Sequence, residues 1–378
     1  MASRAEQLRS LGQSVWLDFI RRGHLESGEF DELVRARGVV GVTSNPTIFQ
    51  QAIASSTDYD AAIESGIARG LEPAALFDAL TIEDIQMACD RLHGVFAATG
   101  GLDGRASIEV NPNLAGDTAA TIDEGRRLHR AVQRSNVMVK VPATAAGLPA
   151  ITALIADGIC VNVTLIFSLA RYAQVMDAYL AGLERRAATG QPLDAVVSVA
   201  SFFVSRVDTK IDAALEVLAS APGGGARRAE IDSYRGKAAI ANARLAYERF
   251  ESVFGSPRFA ALRAKGARVQ RPLWASTSTK NPAYPDTMYV DELIGPDTVN
   301  TMPPQTLAAF NDHGTVAVTI RRELEAAHAL FRRLPELGVP IDDKIAELEA
   351  EGVAAFSKSY NALIAALESK HRDMASRR

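Results

Sequence analysis

Short apolar or β-branched runs alternate with longer amphipathic stretches for most of the chain. The runs are Val15–Phe19, Gly38–Thr43, Ala106–Val110, Val137–Val141, Val161–Ile166, Ala195–Phe203, Val269–Ala275 and Thr298–Met302. Most are continuously apolar rather than strictly alternating, the pattern of parallel strands covered on both faces. Helical periodicity fills the intervals. Thr118–Arg134 places Ala120, Ile122, Leu128 and Val132 among charges, and Ser168–Arg185 carries Leu169, Tyr172, Val175, Met176 and Leu180. Eight strands with helical crossovers predict an α/β fold of the closed (β/α)8, TIM-type barrel kind.

Two regions exceed a minimal barrel. Pro222–Gly225 reads PGGG and precedes a charged helix predicted over Arg227–Phe254. The glycines lack the GK[ST] ending of a phosphate loop and do not follow a strand, so a solvated turn is expected. The tail from Ile320 to Met374 is helical, with Leu348, Val353, Phe356, Tyr360, Leu363 and Leu367 at steps of three to five. Two readings are open for it: a terminal extension packed on the barrel, or a coiled coil offered to a partner. With no repeat, low-complexity block or linker, the expectation is one barrel domain over 1–378. It carries a helical insertion around 222–255 and a C-terminal helical extension over 320–374.

Composition narrows the function classes. The 378 residues are 47% hydrophobic and 23% charged with a formal net charge of −4. No basic field points to nucleic acid or an anionic membrane surface, so a phosphorylated ligand would need a local cationic pocket. Cys89 and Cys160 have no neighbouring cysteine, which predicts free, buried thiols in a reducing compartment. The N-terminal MASRAEQLRS has no signal-peptide run, and no stretch reaches the ~18 apolar residues of a membrane span. A cytoplasmic location is expected. The six histidines are dispersed, so no metal site is expected.

In barrels of this kind the reacting side chains project from the C-terminal strand ends. Polar residues gather there: Asp18, then Thr43-Ser44-Asn45-Pro46, Glu109 with Asn111-Pro112, Lys140, Asn162 and Thr164, Ser201 and Arg206, and Ser276 to Lys280. Lys140 lies in VMVKVPAT, within a strand expected to be buried. Burial disfavours a charged amine, and a neutral amine attacks carbonyls to form Schiff bases. The alternative is a lysine paired with a barrel carboxylate such as Glu109. Asp18 and Glu109 are each readable as hydrogen-bonded structural carboxylates or as the proton carriers that carbonyl–amine chemistry needs. Arg206 and Lys280, with Ser201 and Ser276 nearby, suit phosphate oxygens or simply a solvated loop.

These residues resemble the transaldolase family, in its longer bacterial branch. The segments that carry the resemblance are WLDF around Asp18, TSNPTIF (43–49), SIEVNP (107–112), MVKVPAT (138–144), VNVTLIFS (161–168), SFFVSR (201–206), WASTSTKNP (274–282) and NTMP (300–303). The resemblance implies a (β/α)8 barrel that moves a dihydroxyacetone unit between sugar phosphates in the non-oxidative pentose phosphate pathway, without a cofactor. Donors would be sedoheptulose 7-phosphate or fructose 6-phosphate, and acceptors glyceraldehyde 3-phosphate or erythrose 4-phosphate. Lys140 matches the family's Schiff-base lysine and Asp18 the acid/base acting on the C4 hydroxyl. Glu109 and Thr164 match the pair that holds a catalytic water. Asn45, Asn162 and Ser201 match donors around the substrate, Phe203 an aromatic near the reacting centre, and Arg206 a phosphate-binding arginine.

One departure stands out. Many members carry an arginine shortly after the alanine-serine of strand seven, where this chain reads Ala275-Ser276-Thr277-Ser278-Thr279-Lys280. Ser276 matches, and Lys280 is only a positional candidate for the missing cation. Two alternatives to transfer are an aldolase that releases dihydroxyacetone and a non-catalytic sugar-phosphate-binding barrel. Monomer and homodimer are both open.

Overall fold

Eight parallel strands form one closed sheet in sequence order: β1 Gln13–Leu17, β2 Val39–Val42, β3 Arg105–Glu109, β4 Val137–Pro142, β5 Val161–Ile166, β6 Ser198–Phe203, β7 Arg271–Ala275 and β8 Thr298–Met302. The seam is the β8–β1 pair, in continuous register from Gln13↔Thr298 to Leu17↔Met302. The architecture comes from a computed structural model that describes residues 2–221 and 224–375. The predicted (β/α)8 barrel is thus the observed fold. Strand edges differ by up to a few residues, most at β6, which begins at Ser198 rather than Ala195.

Crossover helices cover the outer face. Thr118–Val132 and Leu169–Ala188 fall where the periodicity places them, capped by Asp117 and Ser168 side chains. Each cap oxygen accepts a backbone N–H that the first helical turn leaves unpaired. The β2–β3 crossover is a long one, with helices Pro46–Ala54, Asp60–Ala68 and Pro73–Ala98. Cys89 and Cys160 are free and buried.

The predicted single helix over Arg227–Phe254 is instead broken. A short 3-10 turn and Arg228–Asp232 precede a turn, and the main helix runs only Ala238–Phe254. The break falls at Gly236, whose φ of +66° is left-handed and whose missing Cβ would lie 2.8 Å from the Tyr284 ring. Asp212 accepts the Gly236 N–H at 3.0 Å and the Tyr284 hydroxyl at 2.6 Å, which fixes the turn. Of the PGGG segment, Pro222 and Gly223 lie outside the described residues.

The C-terminal tail is likewise two helices, Leu324–Leu337 and Ile341–Ala375, parted at Gly338 (φ +101°) and Pro340. Of its apolar stripe, Leu348, Phe356, Leu363 and Leu367 are buried, and Val353 and Tyr360 are half-buried. The partner surface is the chain's own barrel. Thr47 donates to Ser359 at 2.9 Å, Asn111 donates to the Tyr360 hydroxyl at 3.3 Å, and Asn113 donates to Asn361 at 2.9 Å. All three barrel residues follow strand C-termini, so the long helix lies along the mouth of the barrel.

The opposite end is closed by a buried ion pair. Arg271 Nη2 meets Asp103 Oδ1 at 2.9 Å, and Ser14 bridges the two, donating to Asp103 at 2.7 Å and accepting from Arg271 at 2.8 Å. Trp16 Nε1 adds a longer donation to Asp103 at 3.3 Å. Charges this deep are tolerable only when paired and hydrogen-bonded.

Candidate active site

Parallel register sets the centre of the site. Glu109 pairs with Lys140 across β3–β4, and Lys140 with Asn162 across β4–β5, so three consecutive strands hold these side chains at one level. Lys140 is buried at 4% exposure. Its Nζ donates to the Ser44 carbonyl at 2.9 Å and lies 3.0 Å from Glu109 Oε2. The ring of Phe356, from the C-terminal helix, faces Nζ with its centroid 5.5 Å away.

Both carboxyls beside this amine are pushed above the usual carboxylate range. For Asp18 burial is the main cause, opposed by Lys140, by the Thr43 hydrogen bond and by Lys280. For Glu109 burial again dominates, Lys140 opposes it, and Asp18 adds to it. A raised carboxyl holds a proton more readily and can return it, as amine–carbonyl chemistry requires. Asp18 is held on one side: Thr43 Oγ1 donates to its Oδ1 at 2.8 Å, and Thr301 Oγ1 lies 2.7 Å from Thr43 Oγ1.

Thr164 follows the same wall. The β5–β6 register slips between Val163 and Ile166, and Leu165 takes a left-handed φ of 59°. That conformation is costly for a branched residue and is retained where packing forces it. Thr164 Oγ1 is buried without a protein hydrogen-bond partner. Asn162 is oriented on both sides, donating to Ser107 Oγ at 3.1 Å and accepting from Ser201 Oγ at 2.7 Å. Asn45 caps the helix Pro46–Ala54, its Oδ1 accepting from Ile48 N at 2.9 Å.

A cavity of about 400 Å³ opens over this wall. Asp18, Asn45, Lys140, Thr164, Ser201, Phe203, Arg206, Ser276 and Lys280 all line it. Two candidates do not. Glu109 faces a narrow adjoining cavity of about 30 Å³, and Asn162 lies behind Ser201, within the wall. Volume and mixed polar lining suit a small phosphorylated sugar.

The cations are unequal. Arg206 is half-buried beside Phe203, its guanidinium 5.5 Å from that ring centroid, and it makes no ion pair among the described residues. Burial holds its pKa below the usual guanidinium range, with Glu351 partly offsetting that. Lys280 is exposed, and its Nζ donates to Ser278 at 2.6 Å. Ser276 has a left-handed φ of 56° and shares a 2.9 Å hydrogen bond with Ser205. Thr43, Ser107, Thr301 and Phe356 are residues of the site to which the sequence reading assigned no role there.

Comparison with known proteins agrees with this geometry. The family described as transaldolase/fructose-6-phosphate aldolase matches residues 15–367. A transaldolase of Mycolicibacterium smegmatis is 51% identical over 362 residues, 96% of this chain and 95% of that protein. Transaldolase 1 of Streptomyces coelicolor is 51% identical over 97% of this chain and 94% of its own length, and a transaldolase of Trichodesmium erythraeum is 45% identical over 96% of each. Among the described residues no helix is long and apolar enough to cross a membrane. By a match that spans nearly its whole length, the chain belongs to the transaldolase/fructose-6-phosphate aldolase family.

Proposed function

We propose that this chain is a transaldolase of the cytoplasm, carrying a dihydroxyacetone unit from sedoheptulose 7-phosphate or fructose 6-phosphate to glyceraldehyde 3-phosphate or erythrose 4-phosphate. The observation that carries the reading is Lys140 Nζ, buried at the floor of the cavity and 3.0 Å from a carboxylate able to take its proton. Glu109 accepts that proton, and the free amine pair attacks the ketone carbon. The attacking nitrogen sheds a proton as the carbonyl oxygen takes one up, and a second proton on that oxygen lets it leave as water while the nitrogen pair closes the C=N bond. Glu109 and Thr164 carry these protons through a water that Thr164 Oγ1, otherwise unpartnered, helps to hold.

The iminium then draws electrons from the C3–C4 bond. Asp18, at the cavity wall with Oδ1 tied to Thr43, removes the C4 hydroxyl proton, and the aldose phosphate departs. The three-carbon enamine stays bonded to Lys140 until an acceptor aldehyde arrives, when Asp18 returns its proton to the new hydroxyl. Asn45 and Ser201 hold substrate hydroxyls, with Asn162 setting the aim of Ser201, and Phe203 keeps the covalent fragment from water. Arg206 and Ser276 bind the distal phosphate, with Lys280 as an outer, screened contact.

Borohydride treatment with fructose 6-phosphate should fix a three-carbon adduct on Lys140 that intact-mass and peptide mass spectrometry detect. Lys140→Ala should lose it entirely, and normal labelling of that variant would refute the assignment. Because the family embraces aldolases, sugar turnover is measured with and without erythrose 4-phosphate. A transferase depends on the acceptor, whereas steady release of free dihydroxyacetone without it would make the chain an aldolase.

A further inference from the structure

Three polar strand ends, one carboxyl and two hydroxyls, meet at the barrel seam. Asp18 follows β1, Thr43 follows β2, and Thr301 lies in β8, the two strands that flank β1. Backbone hydrogen bonds lock the three together: Asp18 N donates to Met302 O at 2.8 Å and Thr43 N to Leu17 O at 2.9 Å. Thr43 Oγ1 then has three oxygen neighbours, Asp18 Oδ1 at 2.8 Å, Thr301 Oγ1 at 2.7 Å and Leu17 O at 3.5 Å. It has one proton to give.

The direction of the chain follows from acceptor strength. An ionised carboxylate outcompetes a hydroxyl and a distant carbonyl, so Thr43 donates to Asp18, and the short Thr43–Thr301 contact takes its proton from Thr301. Oδ1 is thereby occupied, and Oδ2, which accepts no hydrogen bond from the described residues, is left for the cavity. Once Asp18 has taken a proton on Oδ2, the pull on Thr43 weakens while the geometry stays.

We propose that Thr43, backed by Thr301, is a positioning residue that holds Asp18 in its basic form with one chosen oxygen aimed at the substrate. The inference rests on Asp18 acting as the base under the proposed function. Two charged groups of the cavity act on Asp18, Lys140 and, further out, Lys280, and Glu109 adds its charge from the adjoining cavity. None of them chooses between its two oxygens by a hydrogen bond, whereas Thr43 does.

The test uses the full-length protein and its variants Thr43→Val, Thr43→Ser and Thr301→Val. In Thr43→Val, kcat for donor cleavage should fall by about 10- to 100-fold while KM changes less than about twofold, as expected when a hydrogen bond to a charged group is lost. Without the donor, ionised Asp18 is less favoured, so the acid limb of the kcat profile should move to higher pH. Thr301→Val should move that limb the same way by less. Thr43→Ser should restore both rate and limb, which repair of a merely missing contact surface would not.

Borohydride adducts on Lys140 should form in all variants, because imine formation precedes the work of Asp18. If wild type forms no adduct, the underlying reading fails. If adducts form but Thr43→Val keeps the wild-type rate and pH limb, or Thr43→Ser fails to restore them, the positioning role is overturned.

Discussion

Arg206 and Lys280 show how far a residue's setting outweighs its charge. The arginine is half-buried against Phe203 and makes no ion pair among the described residues, so its fork is left for a ligand and little screened by solvent. The lysine is exposed and tethered only to Ser278. Arg206→Ala is expected to raise KM for phosphorylated substrates by about 10- to 50-fold, the scale of a lost charge-assisted hydrogen bond. Lys280→Ala should raise it by no more than about fivefold, as for exposed ion pairs. Steady-state kinetics at one ionic strength compares the two, and equal effects would show that the lysine replaces the arginine this chain lacks. Both cations were legible in the sequence because they follow apolar strands, where side chains must face the barrel mouth. Thr43 was legible as a strand-end polar residue, but its role and those of Ser107 and Thr301 were not, because a hydroxyl gains its role from a neighbour about 25 to 258 positions away, a separation only strand register can close.

At the scale of elements, the strands were the readable part. Each is buried on both faces, so its composition alone betrays it, and all eight lie within a few residues of their apolar runs. Helix breaks were less readable. The stop at Gly236 depends on Tyr284 and Asp212, and neither is close in sequence. The barrel floor was also silent, because Arg271 and Asp103 look like ordinary surface charges until β7 and the loop before β3 bring them to 2.9 Å. Removing one partner leaves the other charged and unpaired in the interior. Asp103→Ala should therefore destabilise the protein by about 3–5 kcal/mol, seen as a lower denaturant midpoint. Folded variant should still form the Lys140 adduct, since the pair sits at the end remote from the cavity. An unchanged midpoint would mean that water reaches the floor.

The whole molecule carries a pH dependence of its own. Asp208 accepts from Ala239 N at 2.7 Å and from the Tyr289 hydroxyl at 2.8 Å, joining the helix after β6 to the inserted helix and to the β7–β8 connection. Burial pushes its carboxyl up to about 7, above the ordinary 3.8. A folded-state value above the unfolded one means the folded protein holds the proton more tightly. The stability it contributes is complete below pH 3.8 and is lost as pH rises through about 7. Asp84, raised to about 6 by burial, acts in the same direction. Asp208→Asn should thus flatten the fall in Tm between about pH 4 and 7 without abolishing it, because Asp84 remains. Scanning calorimetry across that range measures the slope, and an unaltered slope would exclude Asp208 as its source. The helix Ile341–Ala375 has a consequence of a different order. It brings Phe356 to the Lys140 nitrogen from more than two hundred positions downstream, so on a translating ribosome every strand is made before the last wall exists. The nascent barrel would have its amine open to solvent, and the enclosed site would be completed late in synthesis, with the docking of a single helix.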